Sequence, residues 1–246
     1  MTTQIDEIAP QIFRLAEFVP AANPPSGLTF CEFLIMGDEP LLFHCGHRSR
    51  FAGIAAAVAK LMPLERLRWI GYSHAEADES GAVNEWLAAA PQATAFHGSL
   101  GCNIWLRDFA LRPPRALKDG EALDLGGKTV RYLATPHLPH GWDAGLLYEE
   151  TTGTLFPSDL FAQPGAAPAL GNGDILGPAL AMEAAARAIP VTPTTGTMLR
   201  RLAGLAPRRL ALMHGPTYTG DGAAALTALA EHFDEALSRA AGLPQR

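Results

Sequence analysis

Residues 72–81 read YSHAEADESG and directly follow a short apolar, strand-like run, LRWIG, at residues 67–71. This segment holds four candidate metal ligands within six residues: His74, Glu76, Asp78 and Glu79. A tight loop at the C-terminal end of a buried strand is where α/β folds commonly place their chemistry. The segment therefore predicts an α/β fold with a site at the edge of a sheet.

The spacing of these ligands suits a metal ion. Residues two apart in an extended chain point to the same side, so His74, Glu76 and Asp78 would share one side. The small residues between them, Ala75 and Ala77, leave room for that side to close on an ion. Without a cation, crowded carboxylates repel one another, which raises at least one pKa. The alternative is that this acidic loop is solvated surface.

Three further candidate ligands argue against the solvated-surface alternative. Each follows an apolar β-like run: His140, Asp159 and His214. If these loops meet at one edge, they and residues 72–81 supply three imidazoles and four carboxylates, enough for two metal ions with a bridging carboxylate. The loop that contains His140 also contains His137. The aspartate three residues after His140 favours His140, and His137 stays the alternative.

The chain reads as strands followed by helices in two successive halves. Strands are predicted at residues 11–19, 28–36, 40–44, 67–72, 93–97, 129–134, 144–149, 154–156 and 209–213, with paired strands around turns between residues 115 and 132. Helices are predicted at residues 51–62, 81–90, 179–189, 194–205 and 222–241, and an irregular loop suited to a flap over the site at residues 162–178.

This pattern predicts the class of fold. Hairpins occur in both halves, whereas parallel sheets require long crossovers. We therefore predict an α/β fold of the αββα type, a sandwich of two mixed β-sheets with helices on the outer faces. A single doubly wound parallel sheet is the alternative. In either case, no linker divides the chain, and residues 1–246 are predicted to form one domain.

Composition and charge argue against several classes of partner. The 246 residues are 48% hydrophobic with a net charge of -6, which provides no basic surface for a nucleic acid or an anionic membrane. The N-terminus lacks the basic start and apolar core of a signal peptide. The three cysteines form no CxxC pair and fit reduced, buried thiols: Cys31, Cys45 and Cys102. We therefore expect a cytoplasmic protein.

Together these motifs resemble the metallo-β-lactamase-fold superfamily over nearly the whole chain. The usual superfamily signature is His-x-His-x-Asp-His, and this chain has His74-x-Glu76-x-Asp78-Glu79 instead. The first replacement, Glu76 in place of histidine, is similar to the His-x-Glu-x-Asp pattern in the di-iron domain of flavodiiron proteins and in oxygen-binding di-iron proteins. Residues 140–143, 155–161 and 213–216 resemble, respectively, the His-Trp-Pro-Asp segment, the bridging-aspartate segment and the last ligand motif of flavodiiron proteins.

The resemblance implies a set of ligands. One metal ion would take His74, Glu76 and His140, the other would take Asp78 and His214, and Asp159 would bridge them. Glu79 departs from the pattern, which has histidine at that position. Three roles stay open for Glu79: a ligand of the second ion, a proton acceptor, or an outward-facing residue.

The other histidines carry weaker signals. His44 begins a His-Cys-Gly segment where the superfamily commonly has an Asp-x-Gly turn, so it is a candidate to support a ligand, with plain packing as the alternative. Three more have no ligand context and are expected to be structural or exposed: His47, His97 and His232.

The first functional hypothesis rests on the resemblance. Oxygen-rich ligand sets favour hard ions, so two iron ions are expected, with manganese and zinc as alternatives. The resemblance implies a di-iron protein that binds or reduces dioxygen or nitric oxide. No Gly-rich fingerprint for a flavin phosphate occurs and the metal domain takes up the length of the chain, so electrons are expected from a donor protein.

The second hypothesis is a dinuclear metallohydrolase that acts on a small ester, thioester, lactone or phosphodiester. The metal ions would activate a bridging water, and Glu79 or Asp143 would act as the catalytic group that manages the proton. Residues 162–178 and Trp142 would form a pocket for a small-molecule substrate. A metal-free binding protein is a third class, disfavoured because a full ligand set is present.

Overall fold

The computed structural model describes residues 2–242, and the predicted domain of residues 1–246 extends beyond this range at both ends. Within the described residues, fourteen strands form two seven-stranded sheets. The first sheet consists of β1 (Gln4–Ala9), β2 (Ile12–Val19), β3 (Leu28–Ile35), β4 (Leu41–Phe43), β5 (Trp69–Gly71), β6 (Thr94–Gly98) and β7 (Arg115–Leu117). These strands are neighbours in sequence order; β1 to β4 pair antiparallel and β4 to β7 pair parallel.

The second sheet contains the remaining strands. They are β8 (Ala122–Asp124), β9 (Thr129–Ala134), β10 (Gly145–Glu149), β11 (Thr154–Phe156), β12 (Leu170–Gly171), β13 (Arg209–Ala211) and β14 (Thr217–Tyr218). Their spatial order is β12-β14-β13-β11-β10-β9-β8. Strands β8 to β11 form an antiparallel meander, whereas β11 and β13 pair parallel, so this sheet is mixed as well.

Helices cover the outer faces. They are α1 (Phe51–Val58), α2 (Ala77–Ser80), α3 (Val83–Ala89), α4 (Ser99–Gly101), α5 (Arg107–Phe109), α6 (Leu176–Ala186), α7 (Thr195–Ala203) and α8 (Gly222–Ala240). A π-helical turn at Cys102–Leu106 joins α4 to α5, and short 3-10 turns occupy Arg48–Arg50 and Leu64–Arg66. Among the residues described, no helix is both long and apolar enough to cross a membrane.

Three layers of apolar packing join these elements. Between the sheets, Phe33 and Phe43 of the first sheet contact Phe156 of the second, with ring centroids 5.1 and 5.7 Å apart. On the outer faces, α1 and α3 pack against the first sheet, and α7 and α8 against the second. This confirms the predicted αββα sandwich of mixed sheets and excludes the single doubly wound sheet. All three cysteines are free and buried, as predicted.

The structure corrects the predicted paired strands between residues 115 and 132. Strands β8 and β9 form a hairpin around residues 125–128, as expected. However, β7 pairs with β6 in the first sheet, so residues 118–121 cross from one sheet to the other and do not close a hairpin. A Gly-containing turn signals a change of direction, but it does not show which sheet receives the next strand.

Candidate metal centre

Loops that follow strands of both sheets meet at one edge of the sandwich. His74 follows β5 of the first sheet, and His140 lies in the loop between β9 and β10 of the second. Asp159 follows β11 and His214 follows β13. Because β11 and β13 are parallel neighbours, their C-terminal ends carry these two residues to the same edge.

The segment after His74 does not stay extended, which corrects the predicted alternation. Glu76 is extended, with φ -126° and ψ 167°, but α2 begins at the next residue. The carbonyl oxygen of Glu76 accepts hydrogen bonds from the backbone N–H of Ser80 at 2.9 Å and from its hydroxyl at 2.7 Å, which closes a helical turn. Asp78 therefore reaches the cluster from the first turn of a helix.

Asp159 stands between two groups of candidate ligands. Its Oδ2 lies 3.4 Å from Nε2 of His74 and 3.3 Å from Nε2 of His140. Its Oδ1 lies 3.2 Å from Nε2 of His214. On that second side, Oδ2 of Asp78 lies 3.3 Å from the same nitrogen of His214. One carboxylate oxygen for each group is the arrangement that a bridging ligand requires.

The separations between donor atoms fit ions at the centre of each group. Ligands bonded at about 2.1 Å to one ion, at angles of roughly 90–110°, lie roughly 3.0–3.4 Å apart. The distances around Asp159 fall in this range, as does the 3.2 Å between Oε1 of Glu76 and Nε2 of His140. Three sets of potential ligand atoms lie within 4.8 Å of one another: His74, His140 and Asp159; His74, Glu76 and Glu79; and Asp78, Glu79 and His214.

Neighbouring groups orient two imidazoles with Nε2 toward the cluster. Nδ1 of His214 lies 2.9 Å from the carbonyl oxygen of Thr29. A carbonyl oxygen only accepts, so Nδ1 carries a hydrogen, and Nε2 of the neutral ring keeps its lone pair. Nδ1 of His74 lies 3.0 Å from Oγ of Ser73, which in turn lies 2.7 Å from Oγ of Ser158. Partners of this kind fix a ring and leave its other nitrogen for a metal ion.

Buried polar atoms at the cluster lack partners. Within residues 2–242, no hydrogen bond reaches Nε2 of His74 or either carboxylate oxygen of Glu79. The two side chains are 1% and 0% exposed, and an unpaired polar group at such a depth costs free energy. Metal ions would satisfy these atoms, so the residues present fit a dinuclear centre.

The electrostatics of the cluster favour positive charge. Burial lowers the pKa of His214, but the carboxylates of Asp159 and Asp78 outweigh burial and raise that pKa well above its ordinary value. Burial, followed by the neighbouring carboxylates, raises the pKa of Glu79. Protons on His214 and Glu79 therefore supply positive charge at the cluster. Metal ions would replace these protons and supply that charge instead.

Glu79 faces the cluster and not solvent. Its Oε1 lies 3.8 Å from Nε2 of His74, and its side chain is fully buried. Its backbone carbonyl accepts a hydrogen bond from the N–H of Cys45 at 2.6 Å, which ties α2 to the turn after β4. The outward-facing role does not fit this position, and the ligand and proton-acceptor roles both remain compatible with it.

The loop between β9 and β10 presents one of its two histidines to the cluster. His140 lies there, as the distances to Glu76 and Asp159 show. His137 is exposed, and its backbone N–H donates to the carbonyl oxygen of Gly141 at 2.8 Å. The geometry thus favours His140 as the candidate ligand.

Asp143 and Trp142 do not line the cavity at the cluster. The Oδ2 of Asp143 lies 3.2 Å from Nε2 of His97. Burial raises the pKa of Asp143, but the contact with His97 outweighs burial, so this pKa lies below its ordinary value. His97 is itself buried and stacks on Tyr72 at 4.5 Å. Both Asp143 and Trp142 line a separate cavity near β6 and β9 and not the one at the cluster.

His44 contacts Ser73, the residue that orients the candidate ligand His74. It is fully buried, has φ 67°, and its Nε2 lies 3.2 Å from Oγ of Ser73. Burial lowers its pKa to about 3, so the ring is neutral at ordinary pH. The sequence signalled His44 through its place in the His-Cys-Gly segment, but gave no sign of Ser73 or Ser158 beyond their adjacency to candidate ligands.

A cavity of about 440 Å³ opens onto the cluster. Its polar end contains ligands from both groups, and its other walls come mainly from α6, α8 and β3. This corrects the predicted flap, because only Ala162 of residues 162–178 lines the cavity. The loop is fastened to the first sheet instead: the hydroxyl of Thr29 donates to the carbonyl of Gly165 at 2.9 Å. His47, expected to lack a role, also lines the cavity.

Comparison with known proteins identifies related chains. A family model described as ODP family beta lactamase matches residues 28–172, a range that contains every candidate ligand except His214. Rubredoxin-oxygen oxidoreductase of Megalodesulfovibrio gigas is 26% identical over 206 residues, which is 80% of this chain and 50% of that protein. Diflavin flavoprotein A 1 of Synechocystis is 29% identical over 139 residues, which is 55% of this chain and 24% of that protein.

Solved structures share the fold. Rubredoxin oxygen:oxidoreductase from Desulfovibrio gigas superposes with a TM-score of 0.80 at 22% identity, over 93% of this chain and 62% of that one. A variant of a flavo di-iron protein from Thermotoga maritima gives a TM-score of 0.80 at 19% identity, with the same coverage of 93% and 62%. The chain thus spans half or less of the two curated relatives and under two thirds of these solved chains.

Proposed function

Because the chain belongs to the beta-lactamase-like ODP family, within the metallo-β-lactamase-fold superfamily, we propose that it is a di-iron protein that binds or reduces dioxygen or nitric oxide. One observation carries the dinuclear part of this proposal. Asp159 turns one carboxylate oxygen toward His74 and His140 and the other toward His214. A single ion would leave one of these oxygens unused.

The choice of iron rests on the donor atoms. Carboxylate oxygens from Glu76, Asp78, Glu79 and Asp159 outnumber the three imidazole nitrogens, and such sets suit hard ions better than histidine-rich zinc sites do. Iron would supply a redox-active centre at which a diatomic gas can be held. Manganese and zinc are the alternatives that metal analysis separates from iron.

The chain's own residues would hold and shield this centre. Thr29 and Ser73 orient His214 and His74, so the nitrogens that face the cluster are fixed before any ion arrives. Apolar side chains such as Phe30 and Phe161 line the approach and limit access of water. A site that is dry and preorganised strengthens every electrostatic interaction within it.

An electron donor is part of the proposal for reduction. The Megalodesulfovibrio gigas relative is named for rubredoxin as well as oxygen, and a small redox protein is the class of partner that we propose here. Three free, buried cysteines agree with a reducing, cytoplasmic location. The hydrolase alternative has less support, because this relative is named as an oxidoreductase and Asp143 faces His97.

Metal analysis of anaerobically purified protein tests the proposal. We expect close to two iron ions per chain and an optical spectrum that changes when oxygen or nitric oxide is admitted. Cluster variants such as Asp159→Ala should lose this change, whereas Asp108→Ala, on the exposed surface, should keep it. Zinc as the stably bound metal, with cleavage of esters or thioesters, would favour the hydrolase. Protein that takes up no iron, manganese or zinc would contradict both functions.

A further inference from the structure

The cavity at the cluster is far larger than a diatomic gas needs. Its volume is about 440 Å³. One water molecule takes up about 30 Å³ in the liquid, and dioxygen is of similar size, so a gas would fill roughly a tenth of this space. Cavities of about 300–1,000 Å³ are typical of sites for organic ligands. The cavity therefore has room for a molecule larger than the gas.

Apart from His47 and Glu183, the walls of the cavity beyond the metal cluster are apolar. They come from separate elements and include Leu28, Phe30, Phe161, Met182, Ile189 and Phe233. All of these except Met182 are buried, although they face an open space. Such a surface gives water few partners and favours an apolar body.

Small residues keep the cavity open. Ala179 and Ala186 of α6 line it, together with Ala188 just beyond the helix. A leucine or phenylalanine at these positions would extend into the space and fill part of it. Glu183, a carboxylate on this side, is turned to its own helix end, where it accepts hydrogen bonds from the N–H groups of Ala188 and Ile189 at 3.3 and 3.1 Å.

We infer that the cavity binds a small organic molecule with an apolar body and one oxygen-donor end, the body lying against α6 and α8 and the oxygen directed at the metal pair. The polarity of the cavity decides this orientation. The cluster residues Glu76, Asp78, His140, Asp159 and His214 occupy one end, and mainly apolar side chains surround the rest. The oxygen end rests on the proposed dinuclear function, whereas the apolar body depends only on the cavity.

A chain-length series tests the inference. Acetate, butanoate, hexanoate and octanoate are titrated by calorimetry into the metal-loaded and the metal-free protein, with the matching alcohols as a second series. Burial of each methylene should tighten binding about fourfold until the cavity is full. The carboxylate and alcohol series show which oxygen donor the metal pair prefers. Affinity that does not change with chain length in either series would overturn the inference.

Two variants of α6 complete the test. Ala186→Trp places a large side chain at the cavity, and we expect it to weaken octanoate binding at least tenfold while acetate binding changes little. Ala185→Trp, next to it on the exposed surface and outside the cavity wall, should bind octanoate like the wild type. Equal binding by both variants would also overturn the inference. Metal content is measured on each protein. If the dinuclear proposal alone is wrong, the protein will lack metal but its affinity will still depend on the chain length of the ligand.

Discussion

The hydroxyl oxygens of Ser73 and Ser158 lie 2.7 Å apart in the buried space behind His74. Ser73 follows β5 of the first sheet, and Ser158 follows β11 of the second. Each serine directly precedes a candidate ligand in the chain, His74 and Asp159 respectively. This contact therefore links the two halves of the cluster at the point where the sheets meet, alongside the hydrogen bond from the N–H of Gly145 to the carbonyl oxygen of Ser73 at 2.8 Å.

Replacing Ser73 with alanine should weaken metal binding. The change removes the partner of Nδ1 of His74 and the contact with Ser158. Loss of such a supporting hydrogen bond typically costs about 10–100-fold in metal affinity, so we expect a decrease of that size in a competition titration with a chelator. The control is Ser238→Ala, which removes a hydroxyl hydrogen bond to the backbone carbonyl of Asp234 on α8 and should bind metal like the wild type. Unchanged affinity in Ser73→Ala would show that the serine pair does not orient the ligand.

Replacing Glu79 tests whether this residue is a ligand. Glutamine has nearly the same shape but is a poorer ligand, so Glu79→Gln should lower the affinity for one of the two ions at least about tenfold. Glu79→His, which restores the residue type of the superfamily signature, should recover part of this loss. The control is Glu65→Gln on the exposed surface. Full metal affinity in Glu79→Gln would instead favour the proton-acceptor role.

Glu32 should make the stability of the protein depend on pH. Burial, followed by the nearby Glu17 carboxylate, raises its pKa to about 8, compared with an ordinary value of 4.5. The folded state thus holds a proton that the unfolded state releases above pH 4.5, so this contribution to stability is complete below that pH and is lost as pH rises toward 8. Glu32→Gln should therefore gain in free energy of unfolding relative to the wild type, from near zero at pH 4.5 to a few kcal/mol near pH 8. Urea unfolding at several pH values measures this difference, and a difference independent of pH would contradict the assignment.

The sequence predicted those parts of the fold that depend on local pattern. The strand at residues 67–72 and the ligands that follow it were readable because an apolar run ends abruptly in a polar loop. The long helix predicted at residues 222–241 is found as α8, and the structure adds its cap, Asp221, which accepts a hydrogen bond from the N–H of Ala224 at 2.9 Å. Local pattern failed at α2, where the turn closed by Ser80 replaces the extended chain that the alternation indicated.

Features that depend on distant packing could not be predicted. The serine pair joins residues 85 positions apart, and neither serine carries a signal of its own. The cavity is lined by residues of β3, α6 and α8, which are separate in the chain, and no periodicity in the sequence indicates that these elements enclose a space. The resemblance to di-iron domains supplied the order of the ligands, whereas the distances around Asp159 required the folded structure.

The two histidines of the loop between β9 and β10 allow a matched final test. His140→Ala should lower the metal content from two ions toward one, because it removes a nitrogen 3.2 Å from Glu76 and 3.3 Å from Asp159. His137→Ala changes the same residue type in the same loop but at an exposed position outside the cluster, so it should retain both ions. Metal analysis after removal of loosely bound ions measures both variants, and thermal unfolding of the metal-free proteins shows whether either change disturbs the fold. Metal loss in His137→Ala with retention in His140→Ala would reverse the assignment. Loss in both variants at unchanged stability would show that the loop as a whole, and not one imidazole, holds the ion.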